Sequence, residues 1–120
     1  MDTMIKKKLR LIVQRGSEHF ALRIEELAFF YTVNKLVFVT DSLEKKYICD
    51  KNLSELEDDL DKNIFFRANR QFIINVNFIR GFRIYEKVKL QVDLTVSTNN
   101  RPIIISQETA PLFKKWINEV

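Results

Sequence analysis

Apolar and polar residues alternate with a period of two along most of this chain, a pattern that only a pleated strand can bury on one side. Lys8-Leu9-Arg10-Leu11-Ile12-Val13-Gln14-Arg15 alternates over several positions. Gly16-Ser17-Glu18 is a turn signal, and His19-Phe20-Ala21-Leu22-Arg23-Ile24 alternates again, which predicts a hairpin. Leu27 to Phe30 is an apolar patch, Tyr31-Thr32-Val33-Asn34-Lys35 breaks the pattern, and Leu36 to Thr40 restores it. Asp41-Ser42-Leu43-Glu44 reads as a turn, with Lys46 to Asp50 as the returning strand. Ile64 to Tyr85 is rich in β-branched and aromatic residues, and Phe72-Ile73-Ile74 within it predicts a buried strand. Lys87 to Val96 alternates almost without fault, as a half-buried antiparallel strand does. After the turn cluster Ser97-Thr98-Asn99-Asn100, Pro102 to Ile105 predicts a short last strand, with Pro at its start where a missing donor is tolerated.

Two segments have helical spacing instead. Asn52 followed three residues later by Glu55 is a capping-box pair, and Leu53, Leu56 and Leu60 then fall on one face with acids on the other. Acids in the first turns also suit the positive end of the helix dipole. Near the end, Leu112, Phe113, Trp116, Ile117 and Val120 keep the same spacing, with Ser106 or Thr109 as cap and Pro111 in the first turns. The expectation is a mostly β, antiparallel, multi-sheet fold with one or two short helices. It forms a single domain over residues 9–120, preceded by Met1–Lys8 as linker or tail. A chain of 120 residues can bury a core without a metal or a disulfide.

The same residues exclude several function classes. No run of about 18 apolar residues exists to span a membrane, and the polar, basic start lacks the apolar run of a secretory signal. Cys49 is the sole cysteine, so no internal disulfide forms, which fits the cytoplasm. Set between Ile48 and Asp50, it reads as a small core residue. His19 is the sole histidine and has no nucleophile or carboxylate motif around it. No HExxH, GxSxG, GxGxxG or P-loop is present, and only Gly16 and Gly81 exist to build a phosphate-cradling loop. The expectation is no enzyme, no metal and no cofactor.

Charge is unevenly placed. The chain carries a formal +4, yet Glu55, Glu57, Asp58, Asp59 and Asp61 lie together without an intervening Lys or Arg. The rest holds 20 basic against 11 acidic residues. A basic body with one acidic segment suits a protein that offers a positive surface to a polyanion. The acidic helix should then point away from any duplex.

The informative stretch is Phe65-Phe66-Arg67-Ala68-Asn69-Arg70-Gln71-Phe72-Ile73-Ile74-Asn75. Aromatics that require burial bracket Arg67, Asn69 and Arg70, which places the polar group on a short turn between anchored ends. Arg forks onto guanine and Asn onto adenine, so these are base-reading residue types. A plain basic surface turn is the alternative reading of the same residues.

In this string the chain resembles the LytTR family of bacterial DNA-binding domains. The family signature is an aromatic pair, a basic and a polar residue, then Arg, a small polar residue and an aromatic–aliphatic strand ending in Asn. Flanking elements fall in the same order: Ile24 to Phe30, the acidic capped helix Leu53–Leu60, Ile79-Arg80-Gly81-Phe82, the strand Lys87–Val96, and Ile103-Ile104-Ile105-Ser106 before a terminal helix. The resemblance covers Leu9 to Val120. It implies a ten-stranded, three-sheet fold that enters successive major grooves of double-stranded DNA with loops, one domain per direct repeat. By this resemblance the first contact loop is Thr32–Lys35, with Asn34 and Lys35 as candidates. The second is the signature turn, with Arg70 for base readout and Arg67 and Asn69 for phosphate or base contact. The third is Ser106-Gln107. Where the family places arginines after that serine, this chain has Gln107 and Glu108; Glu108 is expected to serve the helix start, and Arg101 is a candidate for the missing charge. The resemblance also implies transcriptional regulation of the two-component type, a receiver domain in a longer parent and dimers on DNA. An RNA-binding or protein-interaction β module is the alternative.

Overall fold

In the computed structural model, which describes residues 9–120, the middle of the chain forms two strands buried on both faces. These are β3 (Leu27–Val33) and β7 (Phe72–Asn75), hydrogen-bonded antiparallel with Tyr31 opposite Phe72 and Phe29 opposite Ile74. Burial on both sides explains why Leu27 to Phe30 is continuously apolar. A register shift between Leu27 and Phe29 turns the consecutive Ala28 and Phe29 toward the same core.

Around this pair the chain builds β1 (Arg10–Arg15), β2 (Glu18–Arg23), β4 (Leu36–Asp41), β5 (Lys46–Cys49) and β6 (Phe65–Arg67) into one sheet of order β2-β1-β5-β4-β3-β7-β6. A second sheet, β10-β9-β8, contains β8 (Ile79–Tyr85), β9 (Lys89–Leu94) and β10 (Ile103–Ile105). Ten strands are therefore present among the described residues, but in two hydrogen-bonded sheets and not the three implied by the resemblance. The first hairpin does not stand alone, because Gln14 bridges to Ile48 and joins β1 to β5. The expected linker, Met1–Lys8, lies outside the described residues.

One face of the large sheet buries Leu11, Phe30, Val39 and Ile73 under the helix α1 (Leu53–Asp59). Asn52 caps that helix, accepting from the Glu55 amide at 2.8 Å while Glu55 accepts from the Asn52 amide at 3.0 Å. Leu53, Leu56 and Leu60 enter the core as their spacing requires. Cys49 is buried in this core, and desolvation pushes its thiol up, away from a reactive thiolate.

The opposite face packs on the small sheet and on α2 (Ala110–Glu119), joining Phe29, Tyr31, Phe72 and Ile74 to Leu90, Val92, Ile103, Ile105 and Phe113. Phe113 is the hub, with rings of Phe82 at 5.2 Å and Phe66 at 5.4 Å. No helix among the described residues is long and apolar enough to cross a membrane.

Phe113 is fully buried and Leu112 is 63% exposed on the same helix. Urea unfolding should therefore show a loss of about 3–5 kcal/mol for Phe113→Ala. Leu112→Ala should stay within about 0.5 kcal/mol.

Candidate nucleic-acid interface

The signature turn is fixed by anchors on both faces of the large sheet. Consecutive residues of a strand point to opposite sides, and here both are aromatic. Phe65 enters the α1 core, 5.9 Å from Phe30, while Phe66 lies against Trp116 at 5.0 Å in the other. Ala68 is buried behind them and its amide donates to the Phe72 carbonyl at 2.9 Å, closing the turn.

Within the turn, two of the expected contact residues are engaged with the protein itself. Arg67 donates from Nε to the Asn69 carbonyl at 2.6 Å and from Nη2 to the Arg70 carbonyl at 3.1 Å. Its Nη1 meets Glu57 Oε1 at 3.0 Å. The acidic helix thus does not wholly face away from the signature; one of its carboxylates holds the signature's first arginine. Asn69 Oδ1 accepts from the amides of Gln71 at 2.7 Å and Phe72 at 3.1 Å, and its Nδ2 donates to the Ile104 carbonyl at 2.8 Å. Arg70 and Gln71 are exposed, and the Arg70 guanidinium has no protein partner among the described residues.

The first loop is shorter than its sequence pattern predicts. Strand β3 continues through Thr32 and Val33, paired with Val37 and Leu36, and Thr32 Oγ1 donates to the Leu36 carbonyl at 3.0 Å. Only Asn34 and Lys35 turn, with φ of 51° and 68°. Left-handed conformation at both central residues is the type I′ hairpin, whose twist matches the flanking strands. A two-residue tip leaves both side chains exposed. The Thr32 amide donates to the Gln71 carbonyl at 3.1 Å, which joins this hairpin to the signature turn.

The third loop is coupled to the same turn from the other side, because Asn69 binds the Ile104 carbonyl two residues before Ser106. Ser106 Oγ accepts from the Thr109 amide at 3.3 Å and lies 3.2 Å from Thr109 Oγ1. Thr109 is the N-cap residue, and its own side chain makes no cap bond. The helix start is thus organised by Ser106, one of the two residues expected there; Glu108 is exposed and has no protein partner among the described residues. Gln107 is exposed beside it.

Two positions make contacts that the order of residues does not show, one of them Arg101, the candidate for the missing charge. Asn75 is fully buried; its Nδ2 donates to the Leu27 carbonyl at 2.9 Å and its Oδ1 accepts from the Asn77 amide at 2.8 Å. Arg101 reaches across to the signature side, its guanidinium 5.0 Å above the Tyr31 ring. An alternating-strand pattern gives no signal for a cross-sheet contact of this kind.

A sequence profile of the LytTr DNA-binding domain matches residues 17–118. The chain belongs to the LytTR family. It is 25% identical over 113 residues to the transcriptional regulatory protein NatR of Bacillus subtilis, covering 89% of this chain and 48% of that protein. The chain therefore spans about half the length of this relative. Its fold matches the LytTr DNA-binding domain of a Bacillus cereus protein described as a methyl-accepting/DNA response regulator, with a TM-score of 0.79. The match has 22% identity and covers 92% of this chain and 97% of the other.

Within this LytTR domain, Asn69→Ala removes the acceptor for two amides and the link to Ile104. Unsatisfied groups of this kind cost about 1–3 kcal/mol each. Hydrogen exchange should accelerate at the Gln71 and Phe72 amides in this variant, while the Leu56 and Leu60 amides of α1 stay protected.

Proposed function

We propose that this LytTR domain binds double-stranded DNA sequence-specifically as the output half of a bacterial transcriptional regulator of the two-component type, acting in the cytoplasm. The single observation that carries the reading is the signature turn. Arg70 projects from a backbone held by Arg67, Asn69 and two aromatic anchors, so its point of attachment is fixed while its guanidinium donors stay unspent. A preorganised fork of this type matches the O6 and N7 acceptors of guanine.

In this reading the contacts divide into those that position the protein and those that read bases. Arg70 reads a base in the major groove. Asn34 and Lys35, on their hairpin tip, offer an adenine-reading amide and a phosphate-binding ammonium. Gln107 contributes an amide from the third loop, with Ser106 setting its position through Thr109. Arg67 and Asn69 act through the shape of the turn, since every side-chain nitrogen of Arg67 and both polar atoms of Asn69 already bond within the protein. Each good bidentate pair contributes about 1–3 kcal/mol of discrimination. The name of NatR supports the regulatory role, and the span of about half its length fits a longer parent with a receiver domain. Two domains on paired direct repeats would then dimerise on the DNA.

Selection from random-sequence duplexes at two salt concentrations tests the reading. The expected result is a repeated motif bound with an affinity that falls steeply as salt rises. No enriched motif, or preference for single-stranded RNA, would overturn it. Arg70→Ala should weaken the selected duplex far more than a scrambled one, by about 1–3 kcal/mol in specificity; equal losses on both would make Arg70 a phosphate contact.

A further inference from the structure

Arg101 occupies an unusual position for a loop arginine. It follows the left-handed pair Asn99 and Asn100, at φ of 55° and 63°, and its amide donates to the Thr98 carbonyl at 3.1 Å. Its guanidinium stands on Tyr31, itself buried in a ring stack with Phe38 at 5.3 Å and Phe72 at 6.2 Å. The side chain is thus seated at a fixed place with its charge outward.

That place lies between two polar clefts. One, of about 430 Å³, is bounded by Asn69 and by Thr32 and Gln71, whose hydrogen bond joins the first hairpin to the signature turn. The other, of about 340 Å³, is bounded by Arg80 and Arg83 of β8 and by the Thr98–Pro102 loop. Arg101 lines both. Arg80 and Arg101 have no carboxylate partner among the described residues. Arg83 is paired with Asp93 at 3.3 Å, which neutralises the carboxylate of the second cleft. Glu44, which reaches this loop, is engaged as acceptor of the Ser97 amide. The clefts therefore keep the net positive charge of Arg80 and Arg101.

We propose that Arg101, with Arg80, forms a phosphate-binding track that runs from the signature turn along the outside of the small sheet. The Thr98–Pro102 loop is then a fourth DNA contact, and it supplies the charge that Gln107 and Glu108 do not place after Ser106. The contact is to phosphate and not to a base, because a guanidinium seated over a ring and lining two clefts does not project freely as Arg70 does. This inference rests on the DNA-binding reading above.

The experiment measures affinity against salt for the selected duplex and for a mixed-sequence duplex. One neutralised phosphate contributes about 0.9 to the slope of log affinity against log salt. Arg101→Ala should lower that slope by about 0.9 and weaken both duplexes by the same factor, with the selected motif unchanged. Arg80→Ala should behave alike, and Arg101→Lys should restore most of the slope. An unchanged slope in Arg101→Ala, while the parent chain binds DNA, would overturn this inference alone. A loss confined to the selected duplex would also overturn it, making Arg101 a base reader. A parent chain with no salt-dependent affinity for either duplex would overturn the DNA-binding reading as well.

Discussion

The structure depends on the pairing of β3 with β7, two short strands that are apolar on both faces. Such a pair exposes too much hydrocarbon to stand at a surface, so it requires a cover on each side. Helix α1 provides one cover, and the small sheet with α2 provides the other. The signature turn leads directly into β7, so its position follows from the best-packed part of the domain. A loop anchored there loses little freedom when it meets a ligand, and preorganisation of that kind lowers the cost of binding.

Two asparagines fix the ends of β7. Asn69 before it and Asn75 at its end each accept from amides downstream and donate to a carbonyl distant in sequence, Ile104 and Leu27 respectively. An amide side chain withdrawn from water is tolerable only with its groups satisfied, and the half-buried Asn69 and buried Asn75 both meet that condition. The first ties the turn to the small sheet and the second ties β7 to β3. The family signature is therefore largely a description of how one turn is built, with Arg70 as the side chain the construction leaves outside.

Charge is arranged by the same logic. Glu57 of the acidic helix accepts from Arg67, whose Nε and Nη2 close the signature backbone. The acids of α1 thus have a structural use beyond solubility. With Arg67 engaged inward, the outward positive charge of this region falls to Arg70, Lys35 and Arg101, which stand on three different loops brought together by the β3–β7 pairing and by the Tyr31 ring.

Much of this was legible in the sequence, because period and capping are local properties. The alternation of Lys87 to Val96, the Asn52–Glu55 box and the terminal apolar stripe each specified an element that formed near where it was expected. The eleven-residue signature carried the family. What residue order could not carry was every contact between segments far apart. Val33 and Leu36 pair across a two-residue turn where the pattern suggested a wider loop, since the ladder extends wherever both twists agree. The bridge of Gln14 to Ile48 merged a hairpin into the large sheet, and the side-chain bonds of Arg67 and Asn69 separated the residues that build the turn from the one left free. Sequence determined which residues must be buried and which could carry charge; tertiary structure alone decided which polar groups found partners, because hydrogen bonding depends on a few ångströms of placement that only the assembled core supplies.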